Sequence, residues 1–457
     1  MPDRPYLFFE LTNSICSTCH RKVEAKILFE DGRVFMTKRC PAHGFEKVLL
    51  STDVDYYKLC RQTLKPGQMP LKFQTPIKYG CPYDCGLCPD HEQHSCLTIV
   101  ELTDHCNLKC PICYADSGPH RPTHRSLESI EFMLDCIARN EAEPDVVQLS
   151  GGEPTLHPQF FDVMDACKRR PIKHLMLNTN GIRIATDDAF VDRLATYMPG
   201  FEIYLQFDSF KRDALMDLRG ADLRDVRAKA IEKLNARNLS TTLVVTLKKG
   251  VNDDEVGPII DYALKQRCVR GVTFQPVQHA GRTEGFDSSK DRLTLGEVRQ
   301  QILSQTSVFQ PHDVIPVPCH PDCLAMAYAL KMNGQVFPLT GIVDPQVLLH
   351  GEGNTIVYEK HPQLRTLLFD AFSTAANPCS SATTLGQLLC CLPLAPVPPN
   401  VGYDNVFRVI IMKFMDAHDL DIRSVKKSCV HIAHPDGRII PFDTYNLFYR
   451  DDRERRT

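Results

Sequence analysis

Between residues 97 and 277, short runs of β-branched and apolar residues alternate with amphipathic stretches, a pattern that predicts repeated βα units and a parallel sheet. The strands fall at 97–102, 146–149, 174–178, 202–207, 241–247 and 271–276. Between the first two, Leu127, Ile130, Met133, Leu134 and Ile137 recur at helical spacing behind a Ser126 cap, and Leu223, Val226, Ile231 and Leu234 do the same later. Six such units predict an α/β fold built on a partial (β/α)6 barrel of the TIM type. Right-handed crossovers then place all the C-terminal strand ends on one rim, where loops gather. Residues 1–95 form a cysteine-rich flank with a hairpin expected over 26–38, turning at Asp31-Gly32. Residues 96–305 hold the barrel, and 306–457 form a third region with further cysteines, expected to bind a cluster. Within it the stretch 388–399, with Cys390-Cys391 among prolines, reads as a loop.

A chain of 457 residues is long enough for two or three cores. Its net charge of −3 and scattered Lys and Arg offer no face for nucleic acid. No apolar stretch approaches the roughly 20 residues that span a bilayer, and the N-terminus lacks the blocks of a signal peptide, so the expected location is the cytosol. Cysteine changes the picture. There are 20, with eleven between positions 16 and 113, and in a reducing compartment such clusters read as metal ligands rather than disulfides. Cys136, Cys167 and Cys268 stand singly in apolar patterns and read as small buried hydrophobes.

Cys106, Cys110 and Cys113 follow directly on the first strand, in the first loop of the rim. Three thiolates at this spacing can hold three irons of a cubic [4Fe–4S] cluster, leaving the fourth open to a chelating ligand. Cys81, Cys85 and Cys88 repeat the spacing but precede any strand, and Cys96 would close their cluster as a fourth ligand. At the second strand's end stands Ser150-Gly-Gly-Glu-Pro154, where Gly151 and Gly152 allow close backbone approach to a ligand and Glu153 could accept from an ammonium. Upstream, Cys16, Cys19, Cys40 and His43 flank the hairpin as a single-metal knuckle for zinc or iron, with Cys60 as rival fourth ligand. Cys319, Cys323 and Cys429 could gather another cluster, with Asp443 or an open iron completing it.

The triplet 106–113 with Gly151, Gly152 and Glu153 at the next strand tip resembles the radical S-adenosylmethionine superfamily over the whole barrel. The runs 81–91, 101–106, 429–431 and 436–446 are similar to the methyltransferase-like group of the archaeal tetraether lipid synthase and its bacterial relatives, which carry extra iron centres on both sides of the barrel. The resemblance implies that the 106–113 cluster binds S-adenosylmethionine and cleaves it to a 5′-deoxyadenosyl radical. It also implies that the Gly-Gly-Glu segment takes the methionyl amine, and that Asn178, Asn180, Gln206 and Asp208 contact ribose and carboxylate. Ile112 stands where many members carry an aromatic residue, and Tyr114 follows the third cysteine. One or two auxiliary [4Fe–4S] clusters and an electron donor such as ferredoxin or flavodoxin are further implications. The expected activity is C–C bond formation or methylation at an unactivated carbon of a small or lipid-like substrate. Methyl transfer to a pterin-like heterocycle is the alternative enzyme reading, and an iron–sulfur electron-transfer protein without turnover is the reading from another class.

Overall fold

The computed structural model describes residues 4–63, 67–332, 334–340 and 405–450. The expected loop at 388–399, with Cys390 and Cys391, lies outside the described residues.

Strands β1 (Leu7–Ile15), β2 (Lys22–Glu30), β3 (Arg33–Cys40) and β4 (Gly44–Ser51) make an antiparallel sheet in chain order. The expected hairpin is β2–β3, and Asp31 and Gly32 at its turn both take positive φ, 51° and 71°, the conformation that matches strand twist. Ala25, Ile27, Val34 and Met36 alternate into a small core that Tyr57 of helix α1 (Val54–Gln62) closes. Asp53 caps that helix by accepting from the Tyr56 N–H.

Strand β5 (Leu97–Thr103) is buried at every position, as a parallel strand covered on both faces must be. It leads through a loop to the two-residue β6 (Ile112–Cys113). Helix α2 (Leu127–Glu141) follows, its Ser126 cap accepting from the Ser129 N–H as expected. Ile130, Met133, Leu134 and Ile137 are its buried face, each contributing about 1.5–3 kcal/mol of apolar burial.

Then come β7 (Val146–Gly151), β8 (His174–Thr179), β9 (Phe201–Gln206), β10 (Thr241–Leu247) and β11 (Val269–Pro276), all parallel to β5 and to one another in chain order. The six expected strands are therefore present, each within a few residues of its expected bounds. The two-residue β12 (Arg282–Thr283) pairs with β6. Beyond it lie β13 (Ile315–Pro316), β14 (Leu324–Met332), β15 (Gln335–Pro338), β16 (Val406–Met412), β17 (Val430–Ala433) and β18 (Ile439–Pro441).

These later strands do not form a sheet of their own. β16 adds in parallel beside β11, and β17 adds in parallel beside β5, so the run of parallel strands is eight long, with C-terminal residues at both ends. β14 and β18 continue the two margins in antiparallel fashion, and among the described residues no pairing joins one margin to the other. A buried charge pair ties β9 to β16 through the sheet: Arg408 donates to both oxygens of Glu202, at 2.7 and 2.8 Å, and Thr242 and His174 also contact the carboxylate. No helix of the described residues is long and apolar enough to cross a membrane. Cys136, Cys167 and Cys268 are buried in the packing, and burial pushes the Cys167 thiol up to about 12 and that of Cys268 to about 11, as inert core thiols.

Candidate functional site

Cys106 and Cys110 lie in the loop after β5, and Cys113 ends β6. All three line one cavity of about 150 Å³ at the C-terminal ends of the parallel strands, together with Gly151, Gly152, Asn178, Asn180 and Gln206. The cysteine loop is pinned from behind by Arg282, which donates from Nε to the Cys110 carbonyl (2.5 Å), from Nη1 to Asp116 (2.7 Å) and from Nη2 to the Ser117 carbonyl (2.8 Å). Burial pushes the Cys106 thiol up to about 12 and raises that of Cys110. Coordination to iron reverses this, because a ligating thiol is deprotonated outright. Three soft donors converging on one cavity are the set an iron–sulfur cluster needs, and the residues present fit it.

The Gly-Gly-Glu segment packs directly against the loop that carries the triplet. Gly151 has φ +117°, and a Cβ there would collide with the backbone of Thr103, as one on Gly152 would with the carbonyl of His105. The close approach is thus to the loop that enters the cysteine triplet, and both glycines hold that loop against the tip of β7. Glu153 is 1% exposed, and both its oxygens are taken by the chain's own donors: the Thr155 N–H and hydroxyl, the Thr179 hydroxyl (2.8 Å) and the Asn180 N–H (2.8 Å). Its carboxylate braces β7 to β8, with three donors on Oε1 and one on Oε2. What the segment presents to a ligand is the backbone of Gly151 and Gly152.

The polar residues at later strand tips form a chain. Asn178 donates to Ser150 Oγ (3.0 Å), Gln206 donates to Asn178 Oδ1 (3.2 Å), and Asn180 donates to Asn107 Oδ1 (2.7 Å) inside the cysteine loop. Asp208 is fully buried and stands behind this row rather than on it. Arg219 donates to Asp208 through Nε (2.7 Å) and Nη2 (2.6 Å), to Gln206 Oε1 (2.8 Å) and to Thr246 Oγ1 (2.7 Å), and it is the guanidinium, not the carboxylate, that lines the cavity. Burial alone would raise the Asp208 carboxyl, but Arg219 and Arg227 beside it hold it below the usual range. Sequence reasoning missed Arg219, which ends the helix Arg212–Arg219 just before Gly220, where a basic residue reads as a partner of the helix dipole.

The other cysteines sort themselves by position. Cys16, Cys19, Cys40 and His43 come within 4.8 Å of one another, with His43 Nδ1 at 3.5 Å from both Cys16 Sγ and Cys40 Sγ, a tetrahedral knuckle. Cys60 is buried on α1 outside that set. Cys81, Cys85 and Cys88 lie against the C-terminal segment, where Cys85 N–H donates to the Tyr449 hydroxyl (3.0 Å). Cys96 does not close their set. It joins Cys319 and Cys429 instead, all three sulfurs within 4.8 Å and fully buried, because the start of β5 lies beside the start of β17. Cys323 stands apart with its sulfur 3.8 Å from Ser424 Oγ, and Asp443 is occupied by the Met415 N–H (2.6 Å), with burial pushing its carboxyl up to about 7.

Residues 100–263 match the model of the Radical SAM superfamily, and residues 8–52 match an HMPTM N-terminal zinc ribbon domain. Over 97% of its length the chain is 30% identical to 7,8-dihydro-6-hydroxymethylpterin dimethyltransferase of Methanocaldococcus jannaschii, covering 95% of that protein. The chain belongs to the radical S-adenosylmethionine superfamily. A second relative in the superfamily core is GTP 3′,8-cyclase of Alkaliphilus metalliredigens, 28% identical over 44% of this chain and 62% of that one. Among solved structures, Streptococcus suis SuiB bound to S-adenosylmethionine aligns with 46% of this chain and 46% of its own at 16% identity, with a TM-score of 0.39. The matched residues place the superfamily's core on β5 to β10 and the zinc ribbon on the four-stranded sheet that carries the knuckle.

Proposed function

We propose that this chain is a radical S-adenosylmethionine methyltransferase acting on a pterin-like heterocycle. The observation that carries the reading is the mixed polar and apolar lining of the cavity that the cysteine triplet shares. Gln148, Gln275 and Gln278 line this cavity beside Ile99, Met412 and Phe414, with Gln275 Nε2 held by the Tyr204 hydroxyl and Gln278 held by the Met415 carbonyl and Asn446. A flat, nitrogen-rich ring satisfies both surfaces at once: its faces lie on apolar side chains, and its edges exchange hydrogen bonds with amides. An alkyl chain offers no hydrogen bond to the lining carboxamide positions that the chain leaves open, at a cost of about 1–3 kcal/mol for each one it desolvates. The near full-length relative in Methanocaldococcus jannaschii, named as a dihydropterin dimethyltransferase, supports the same choice over the lipid-like substrate.

Bound at Cys106, Cys110 and Cys113, a [4Fe–4S] cluster and S-adenosylmethionine supply a 5′-deoxyadenosyl radical. The chain's own residues orient the reactants. Arg219, fixed on three sides, offers its charge to the methionyl carboxylate, and Asn178 and Asn180 offer amides to the ribose. Gly151 and Gly152 offer backbone to the methionyl amine. The transferred carbon comes from a methylene donor.

The test is anaerobic turnover of the reconstituted full chain with dithionite, S-adenosylmethionine, a methylene donor and 6-hydroxymethyl-7,8-dihydropterin. The expected result is 5′-deoxyadenosine together with a methylated pterin, both abolished in Cys110→Ala. Release of 5′-deoxyadenosine only with a long-chain lipid substrate would overturn the heterocycle reading.

A further inference from the structure

We infer that His94 is the fourth ligand of a metal centre built by Cys96, Cys319 and Cys429, an inference that rests on reading the three-thiol group as an auxiliary iron–sulfur site. The three sulfurs come from the entry to β5, the loop after β13 and the residue before β17, and they converge within 4.8 Å in a fully buried place. Three thiols so gathered satisfy a soft metal on one side and leave one coordination position to fill. His94 Nε2 stands 3.6 Å from Cys96 Sγ.

The ring is held for that task by its other nitrogen. His94 Nδ1 lies 3.0 Å from Glu141 Oε2, and Glu141 Oε1 accepts from the Ser95 N–H at 3.0 Å, so the carboxylate is itself fixed by the segment that carries the ring. Glu141 is the last residue of α2. A proton kept on Nδ1 for the carboxylate would leave Nε2, on the side of the thiol, to bind a metal, the arrangement in which a carboxylate orients a metal-binding imidazole. Nearby donors are engaged elsewhere. Cys323 Sγ lies by Ser424 Oγ, Asp443 accepts from Met415, His320 Nε2 lies 2.9 Å from Ser424 Oγ, and His91 lies between His431 (3.1 Å) and the Ser428 carbonyl (2.9 Å).

The experiment compares the full-length protein with His94→Cys, Cys323→Ala and Cys429→Ala. All are purified anaerobically without S-adenosylmethionine, reduced with dithionite, and read by iron and sulfide content and by the nitrogen hyperfine coupling in pulsed EPR. The wild-type protein is expected to show the coupling of a directly bound imidazole. In His94→Cys this coupling disappears while the iron count is kept, because the new thiolate takes the same position. Cys323→Ala keeps both, and Cys429→Ala loses the iron of this centre while the rest of the iron stays. A coupling that survives in His94→Cys, or iron lost in Cys323→Ala, overturns the assignment of His94. Iron fully retained in Cys429→Ala refutes the three-thiol centre itself, and the inference with it. Neither readout depends on the Cys106, Cys110 and Cys113 centre or on methyl transfer.

Discussion

Arg219 is locked by Asp208, Gln206 and Thr246 before any substrate arrives, so its fork is aimed in advance. Lysine keeps the charge but not the fork. Arg219→Lys is expected to raise the KM for S-adenosylmethionine about tenfold to a hundredfold, the equivalent of one charge-assisted hydrogen bond of about 1.5–3 kcal/mol, with iron content unchanged. An unchanged KM would remove the guanidinium from the binding site. Glu153→Gln turns an acceptor-only group into one with an amide nitrogen, and that nitrogen must face one of four donors. The expected loss is about 1–3 kcal/mol of stability, read as a lower melting temperature, at nearly constant affinity for S-adenosylmethionine. The opposite outcome, weakened binding at constant stability, would return Glu153 to the ammonium. Cys106, Cys110 and Cys113 were legible in the sequence because their spacing is local. The partners of Glu153 and Arg219 were not, since they are set by contacts up to 27 residues away that no short motif records.

At the level of elements, the six strands could be read because a parallel strand buried on both faces writes itself as an uninterrupted apolar run, as β5 does. Ser126 and the buried positions of α2 were equally plain, being fixed by cap chemistry and a 3.6-residue period. The pairing of β16 with β11 and of β17 with β5 left no trace in the sequence, because neighbours in a sheet are chosen by tertiary contacts across long separations. Cys96 was assigned to the wrong set of thiols for the same reason: its companions Cys319 and Cys429 arrive with those later strands. The packing of β7 against the cysteine loop carries its own test. Gly152→Ala puts a methyl group into the His105 carbonyl, and the loop must move. The variant is expected to lose about 1–3 kcal/mol of stability and to retain less iron than the wild type, by metal assay on the anaerobically purified protein. Full iron at wild-type stability would show that the loop is not held there.

Across the whole molecule, Glu202 and Arg408 join a barrel strand to a strand 206 residues later. Burial alone would raise the Glu202 carboxyl, but Arg408 and His174 outweigh it and hold it well below the usual range. A carboxyl depressed in the folded state contributes stability that is complete above its unfolded value of about 4.3 and is lost as pH falls through the folded one. Acid unfolding of the wild type should therefore steepen below about pH 5, and Glu202→Gln should abolish that part of the slope. The same variant removes the carboxylate that takes Arg408 in the buried sheet and is expected to cost about 3–5 kcal/mol at neutral pH, measured by denaturant unfolding. An unaltered pH slope would contradict this account. The placement of β16 and β17 has one more consequence, for the order of biosynthesis. Until a ribosome has released β16, ending at Met412, β11 lacks its outer neighbour, and until it has released β17, ending at Ala433, β5 lacks its own, so apolar borders stay open to other nascent chains. A transcript cut short between β11 and β17 should accordingly yield aggregate rather than a smaller enzyme, with Cys96 still waiting for Cys429.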